Sequence, residues 1–150
     1  MTYGCDTSFL MRILTNHPGP LAAKVIAETD ERIKSGDVFE ISDLTLSEAY
    51  FSLQASYGVS KADALALLKR MSEAAGFTVS DHARDVLALS NLATAKPGFV
   101  DRLIHGTYCS AEKTTVACEK SFRKLPLSEV FSVLPASRAA CGNVNEDKFC

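Results

Sequence analysis

The sequence predicts an α/β protein organised around a largely parallel sheet, on three observations. Short β-prone runs alternate with segments of about ten or more residues that have helical periodicity. Each helical segment is bounded by a cap residue, a proline or a glycine. The chain has 150 residues, 47% hydrophobic and 23% charged, which suits one compact domain able to bury a core without disulfides or metals.

The elements follow in order. Tyr3 to Cys5 reads as a short strand running into Asp6, followed by a helix carrying Phe9 to Leu14. After His17-Pro18-Gly19-Pro20, Pro20 suits a first helical turn. Ala22, Val25, Ile26, Thr29 and Ile33 then share one face, and Gly36 stands at the C-cap. Val38 to Ile41 reads as a second strand. Leu46, Ala49, Tyr50 and Leu53 define a helix ending at Tyr57-Gly58.

Ser60 caps another helix, with Ala64, Leu65, Leu68 and Met71 facing a core and Gly76 ending it. Phe77-Thr78-Val79 is β-prone, and Ser80 caps a helix through Ala83, Val86, Leu87 and Leu89. Lys96-Pro97-Gly98 breaks the chain before a helix with Phe99, Leu103 and Ile104. Thr114 to Cys118 is β-branched and apolar, hence expected to be a buried strand. A short helix near Phe122 and a last strand at 130–134 complete the domain, taken as residues 1–135. Residues 136–150 lose all periodicity and are expected to form a flexible tail.

Composition removes several classes. Sixteen Lys and Arg against eighteen Asp and Glu give a net charge of -2, which excludes gripping nucleic acid by bulk charge. No apolar run reaches the roughly 18 residues of a membrane span. The start, Met1 to Asp6, lacks the basic and apolar regions of a signal peptide. Cys5, Cys109, Cys118, Cys141 and Cys150 form an odd set without a C-x-x-C pair, so reduced thiols in a cytoplasm are expected.

Chemistry in an open parallel sheet gathers at the carboxyl ends of the strands. Four acids are placed for that edge: Asp6 after the first strand, Glu48 in the helix after the second, Asp101 opening a later helix, and Glu119 after the buried strand. Each alone is explained by the preference for acids in first helical turns. Four together would repel unless protonated or bound to a cation, and oxygen-rich clusters select Mg²⁺ or Mn²⁺. Ser8 either hydrogen-bonds a carboxylate or phosphate, or caps the following helix.

Asp6-Thr7-Ser8, Leu44-Thr45-Leu46-Ser47-Glu48 and Phe99-Val100-Asp101, with Glu119-Lys120-Ser121-Phe122-Arg123-Lys124-Leu125-Pro126 at 18 residues beyond Asp101, resemble the PIN domain. Among its members the closest resemblance is to the VapC-type ribonuclease toxins of prokaryotic toxin–antitoxin pairs, over residues 3–134. The resemblance implies a three-layer α/β/α sandwich with a central, mainly parallel sheet of four to five strands. It also implies hydrolysis of RNA phosphodiester bonds with Mg²⁺ or Mn²⁺ held by Asp6, Asp101 and Glu119, with Glu48 holding metal or orienting water.

A homodimer, a cognate antitoxin lying over the acidic pocket, and a cytoplasmic location follow from the same resemblance. Ala117-Cys118-Glu119 departs from the family's Thr-Phe-Asp. The extra methylene of Glu119 moves its carboxylate by about 1.5 Å, and the Thr hydroxyl is lost.

Arg12, Lys113, Lys120, Arg123 and Lys124 could steer an RNA backbone, or form solvated helix faces. His105, one turn after Asp101, could relay protons or simply pack, and nothing in the sequence pairs His17 or His82. Tyr50, Phe51, Leu53 and Tyr57, with Leu65 and Leu68, could line an antitoxin groove or the core. Haloacid-dehalogenase-type phosphatases need an aspartate where Ser8 stands, response-regulator receivers need an acidic pair, and no phosphate-cradling glycine loop occurs. The rival to the nuclease is a catalytically weakened PIN-like module that binds or regulates.

Overall fold

The structure, a computed structural model, describes residues 1–131. Strands β1 (Thr2–Cys5), β2 (Val38–Ile41) and β3 (Phe77–Thr78) form a parallel sheet in that order. Its register pairs Tyr3 with Phe39 and Phe39 with Phe77, so these three side chains share one face. Their rings stack in series, Tyr3 on Phe39 at 5.5 Å and Phe39 beside Phe77 at 5.6 Å.

Helices α1 (Thr7–Thr15) and α2 (Gly19–Lys34) connect β1 to β2, and α3 (Asp43–Tyr57) and α4 (Lys61–Glu73) connect β2 to β3. Three of the caps read from the sequence are in place. Ser60 and Ser80 accept backbone N–H bonds from Asp63 and Ala83, and Gly58 closes α3 in the left-handed region at φ 64°. Asp6 rather than Ser8 caps α1, accepting from the Phe9 N–H at 2.7 Å. Gly76 at φ 83° lies against Ile33, where a Cβ would come within 2.5 Å of the isoleucine side chain.

The strands advance in one direction, and right-handed crossovers then place every connecting helix on the same side. Burial agrees. Phe39 and Ile41 are buried, whereas Thr2, Gly4 and Glu40 on the opposite face are exposed. That face of the three-stranded sheet is therefore open at Thr2, Gly4 and Glu40.

Helices α5 (Asp81–Leu87) and α6 (Phe99–Cys109) pack on each other and contribute Ala83, Leu87, Phe99 and Leu103 to the single core. Strands β4 (Thr115–Ala117) and β5 (Ser128–Val130) pair in parallel as a second, separate sheet around the 3-10 helix Lys120–Lys124. The α/β class and the parallel pairing stand, but the expected single sheet of four to five strands is three strands plus two. The reason is local: β4 pairs with β5 in its own sheet and lies beside α6, held by His105 Nδ1 and Thr115 Oγ1 at 2.9 Å.

Two further expectations are corrected. The strand at 114–118 is not buried: Thr115 is, but Val116 is 56% exposed because the two-stranded sheet has one open face. Within the described residues the last strand starts earlier than expected, at Ser128, and covers Ser128–Val130, since the Thr115 N–H bonds to the Leu127 carbonyl and sets the register. The remainder of the expected strand, the 136–150 tail, Cys141 and Cys150 lie outside the described residues. Cys5, Cys109 and Cys118 carry free thiols. No helix among the described residues is long and apolar enough to cross a membrane.

Leu10, Leu46, Leu53 and Leu68 are completely buried and join α1, α3 and α4. Leu53→Ala should lower unfolding free energy by about 2–5 kcal/mol, read as a shift in the urea midpoint without a change in slope. Burial also pushes the His105 imidazole below its ordinary value, helped by the Arg102 charge. The unfolded chain therefore takes a proton first as pH falls. The His105 contribution to stability is complete above the unfolded value of 6.5 and is lost as pH drops through the folded value. Thermal scans between pH 8 and pH 5 (about one and a half units either side of an ordinary imidazole) should show a fall in Tm that is reduced in His105→Gln.

Candidate functional site

Parallel pairing of β1 with β2 brings two helix N-termini together at the carboxyl edge. Thr45, in the first turn of α3, donates its hydroxyl to the Cys5 carbonyl at 3.1 Å. Next to that bond the Thr7 hydroxyl donates to the Glu48 carboxylate. Asp6 and Glu48 are thus joined through one residue although 42 positions apart in sequence. Ser8 donates to Asp6 Oδ2 at 2.9 Å and fixes the carboxylate's orientation.

Asp6 is exposed but held ionised. The Phe9 N–H bond, then the Ser8 hydroxyl, then the Arg12 charge keep its carboxyl below the ordinary range. The adjoining Cys5 thiol moves the other way, pushed up to about 11 by burial and by Asp6. Both effects disfavour its thiolate form.

The other two acids are engaged within their own segments. Asp101, in the first turn of α6, accepts the Gly98 N–H at 3.2 Å. The α6 helix runs antiparallel to α3, with Phe99 against Tyr50 at 5.2 Å and Thr107 near Asp43. That sets the Asp101 turn level with the Glu48 turn, but no hydrogen bond links the two side chains. Glu119 precedes the 3-10 helix and accepts from the Ser121 hydroxyl. Lys113, Lys120, Arg123 and Lys124 are exposed around that segment, and only Arg12 of the five cations lies beside Asp6.

The oxygen chemistry of Asp6 and Glu48, with the Thr7 and Ser8 hydroxyls, suits a hard dication. Mg²⁺ commonly takes about one or two carboxylates and fills its shell with water and phosphate oxygens. Among the described residues no group of three or more His, Cys, Asp or Glu side chains converges as a ready metal site. Asp6 and Glu48 are the acids the fold brings together; Asp101 and Glu119 are not joined to them.

A second polar cluster escaped the sequence reading. At the ends of β2 and β3, Asp43 accepts from the Ser80 hydroxyl at 2.8 Å and lies 2.5 Å from His82 Nε2. Thr107 approaches the same carboxylate at 3.4 Å. His82, unpaired in sequence, is thus paired in space, and Gly106 makes room for it: a Cβ there would fall 2.4 Å from the His82 ring. No periodic pattern signals this contact, because its members come from three helices.

The expected antitoxin groove is also divided: Tyr50, Leu53, Leu65 and Leu68 are core, whereas Phe51 and Tyr57 are 57% and 43% exposed. His105 packs, as one of its two readings had it.

No family model matches the chain. No curated protein matches it either. A chain of the crystal structure of VapBC2 from Rickettsia felis bound to a DNA fragment from their promoter superimposes with a TM-score of 0.37 and 17% identity. The superposition covers 88% of this chain and 100% of that one.

The Asp43–His82 contact ties α3 to α5 beside α6. Asp43→Ala should cost about 1–3 kcal/mol, as expected when charged hydrogen bonds lose their acceptor. Chemical denaturation of Asp43→Ala alongside Leu44→Ala, at an exposed neighbour, would check it.

Proposed function

We propose that the protein is a metal-dependent endoribonuclease of the VapC type, with its reacting centre at Asp6 and Glu48. The observation that carries this reading is the bond from the Thr7 hydroxyl to Glu48, which holds that carboxylate of α3 beside the segment bearing Asp6. The PIN-like order of Asp6-Thr7-Ser8, Ser47-Glu48 and Asp101 agrees with it.

A bound Mg²⁺ or Mn²⁺ would supply charge neutralisation at the scissile phosphate and a more acidic water. Asp6, ionised and oriented by Ser8, would hold the ion. Glu48, its orientation set by Thr7, would share the ion or accept a proton from the attacking water. Asp101 and Glu119, which complete the PIN-like order of acids, are bonded here to the Gly98 N–H and the Ser121 hydroxyl. A cognate antitoxin and a homodimer belong to the same proposal.

One observation favours a second reading, a binding or regulatory module with weakened catalysis. Glu119 stands where the family carries aspartate, and it is bonded within its own segment.

Purified protein should cleave single-stranded RNA with Mn²⁺ and not with EDTA. Asp6→Asn and Glu48→Gln should each reduce the rate by ~10²-fold or more, the scale on which single electrostatic groups act. Asn caps a helix as well as Asp does, so α1 persists and a loss reports the missing charge. RNA bound but uncut under every metal condition would favour the regulatory module. Cleavage unchanged by Asp6→Asn would remove the proposed centre.

A further inference from the structure

Helix α1 runs parallel to α3, with Thr7 at Glu48 near their N-termini and His17 against Tyr57 just beyond α1. α1 is about 14 Å long, nine residues at 1.5 Å each. Along it lies a cavity of about 210 Å³ lined by Ser8, Met11, Arg12, His17, Pro18 and Tyr57. Ser8 links this cavity to the carboxylates, because its hydroxyl donates to Asp6.

The lining has a particular chemistry. Arg12 has no carboxylate within ion-pair distance among the described residues, and the Ser8 carbonyl holds its Nη1 at 2.7 Å. Its charge therefore remains available to an anion. Tyr57 is half-exposed, and the His17 ring meets it edge-on, centroids 6.3 Å apart at 77°. Two rings and an open guanidinium, continuous with a phosphodiester-cleaving centre, are the means by which proteins hold an unpaired nucleotide. The volume is below the ~300–1,000 Å³ of drug-sized sites, so it admits a single base.

By contrast, the cavity at the β1 edge, lined by Tyr3, Phe9 and Arg32, has its guanidinium committed to Glu28 at 2.9 Å.

We infer that this cavity seats one base of a single RNA strand whose scissile phosphate lies at Asp6 and Glu48, with Arg12 on an intervening phosphate. The placement of the scissile phosphate rests on the nuclease reading; the seating of the base on Tyr57 and of a phosphate on Arg12 does not. Stacking selects a base with both faces accessible, so the strand must be unpaired there. A duplex, with its bases stacked on one another, does not offer one.

The test uses full-length Asp6→Asn protein in EDTA, which blocks cleavage, and a fluorescein-labelled single-stranded RNA hexamer read by anisotropy. Tyr57→Ala should weaken binding by about 5- to 150-fold, the range for one stacked base. Tyr57→Phe should keep most of it, which separates stacking from a folding defect. Arg12→Ala should lower the slope of log K against log salt by about 0.7, the value for one phosphate contact on a single strand. The same sequence as a duplex should bind more weakly and be indifferent to Tyr57→Ala.

The inference is overturned if Tyr57→Ala, with an unchanged circular dichroism spectrum, binds the single strand as the parent does, or if the salt slope ignores Arg12. It is overturned equally if duplex and single strand lose affinity alike. Cleavage by otherwise wild-type protein is scored separately. Binding that depends on Tyr57 without cleavage sinks the nuclease and keeps the base seat, whereas cleavage indifferent to Tyr57→Ala sinks the seat and keeps the nuclease.

Discussion

The parallel pairing of β1 with β2 is the constraint on which the rest of the site depends. Parallel strands need a crossover, so both present the same end to the helices that follow. Here those helices, α1 and α3, begin side by side, locked by the Thr45 hydroxyl on the Cys5 carbonyl. Asp6 at the cap of α1, Arg12 within it, and Glu48 and Tyr57 on α3 all depend on that helix pair. An error of one residue in the β1–β2 register would turn the Asp6 segment to the other face and part the two carboxylates.

The edge also separates two kinds of polar chemistry. Asp6 and Glu48 are exposed; Asp6 accepts from the Phe9 N–H and the Ser8 hydroxyl, and Glu48 from the Thr7 hydroxyl. Asp43 and His82, at the ends of β2 and β3, are about three-quarters buried and bonded to each other, with Ser80 on the same carboxylate. The first pair has open coordination and suits an external ligand. The second satisfies itself and serves to hold α3 and α5 together. Both pairs sit at strand ends, and what tells them apart is how much of their hydrogen-bonding capacity the protein itself consumes.

The single-faced sheet follows from the order of its strands. Advancing from β1 to β2 to β3 without reversal keeps the connecting helices on one side, and the core gathers there under Leu10, Leu46, Leu53 and Leu68. A second helical layer needs a strand on the far side of β1. The segment with that potential, β4, instead pairs with β5 and anchors to α6 through Thr115 and His105. Glu119 follows β4 and is carried with it, which is why the fourth acid of the PIN-like pattern is not joined to the first two.

Local rules sufficed for the helices and the first three strands. The apolar spacing of Leu46, Ala49, Tyr50 and Leu53, the caps Ser60 and Ser80 and the stop at Gly58 are short-range signals, and each operates as written. The nearness of Asp6 to the α3 helix was legible too, because parallel topology forces it. Three outcomes belonged to the tertiary structure alone: the partner of β4, the pairing of His82 with Asp43, and the division of Tyr50 from Phe51 between core and surface. Each depends on which faces meet across elements distant in sequence. That choice is made by packing and by the accounting of buried hydrogen bonds over the whole core, which no window of neighbouring residues contains.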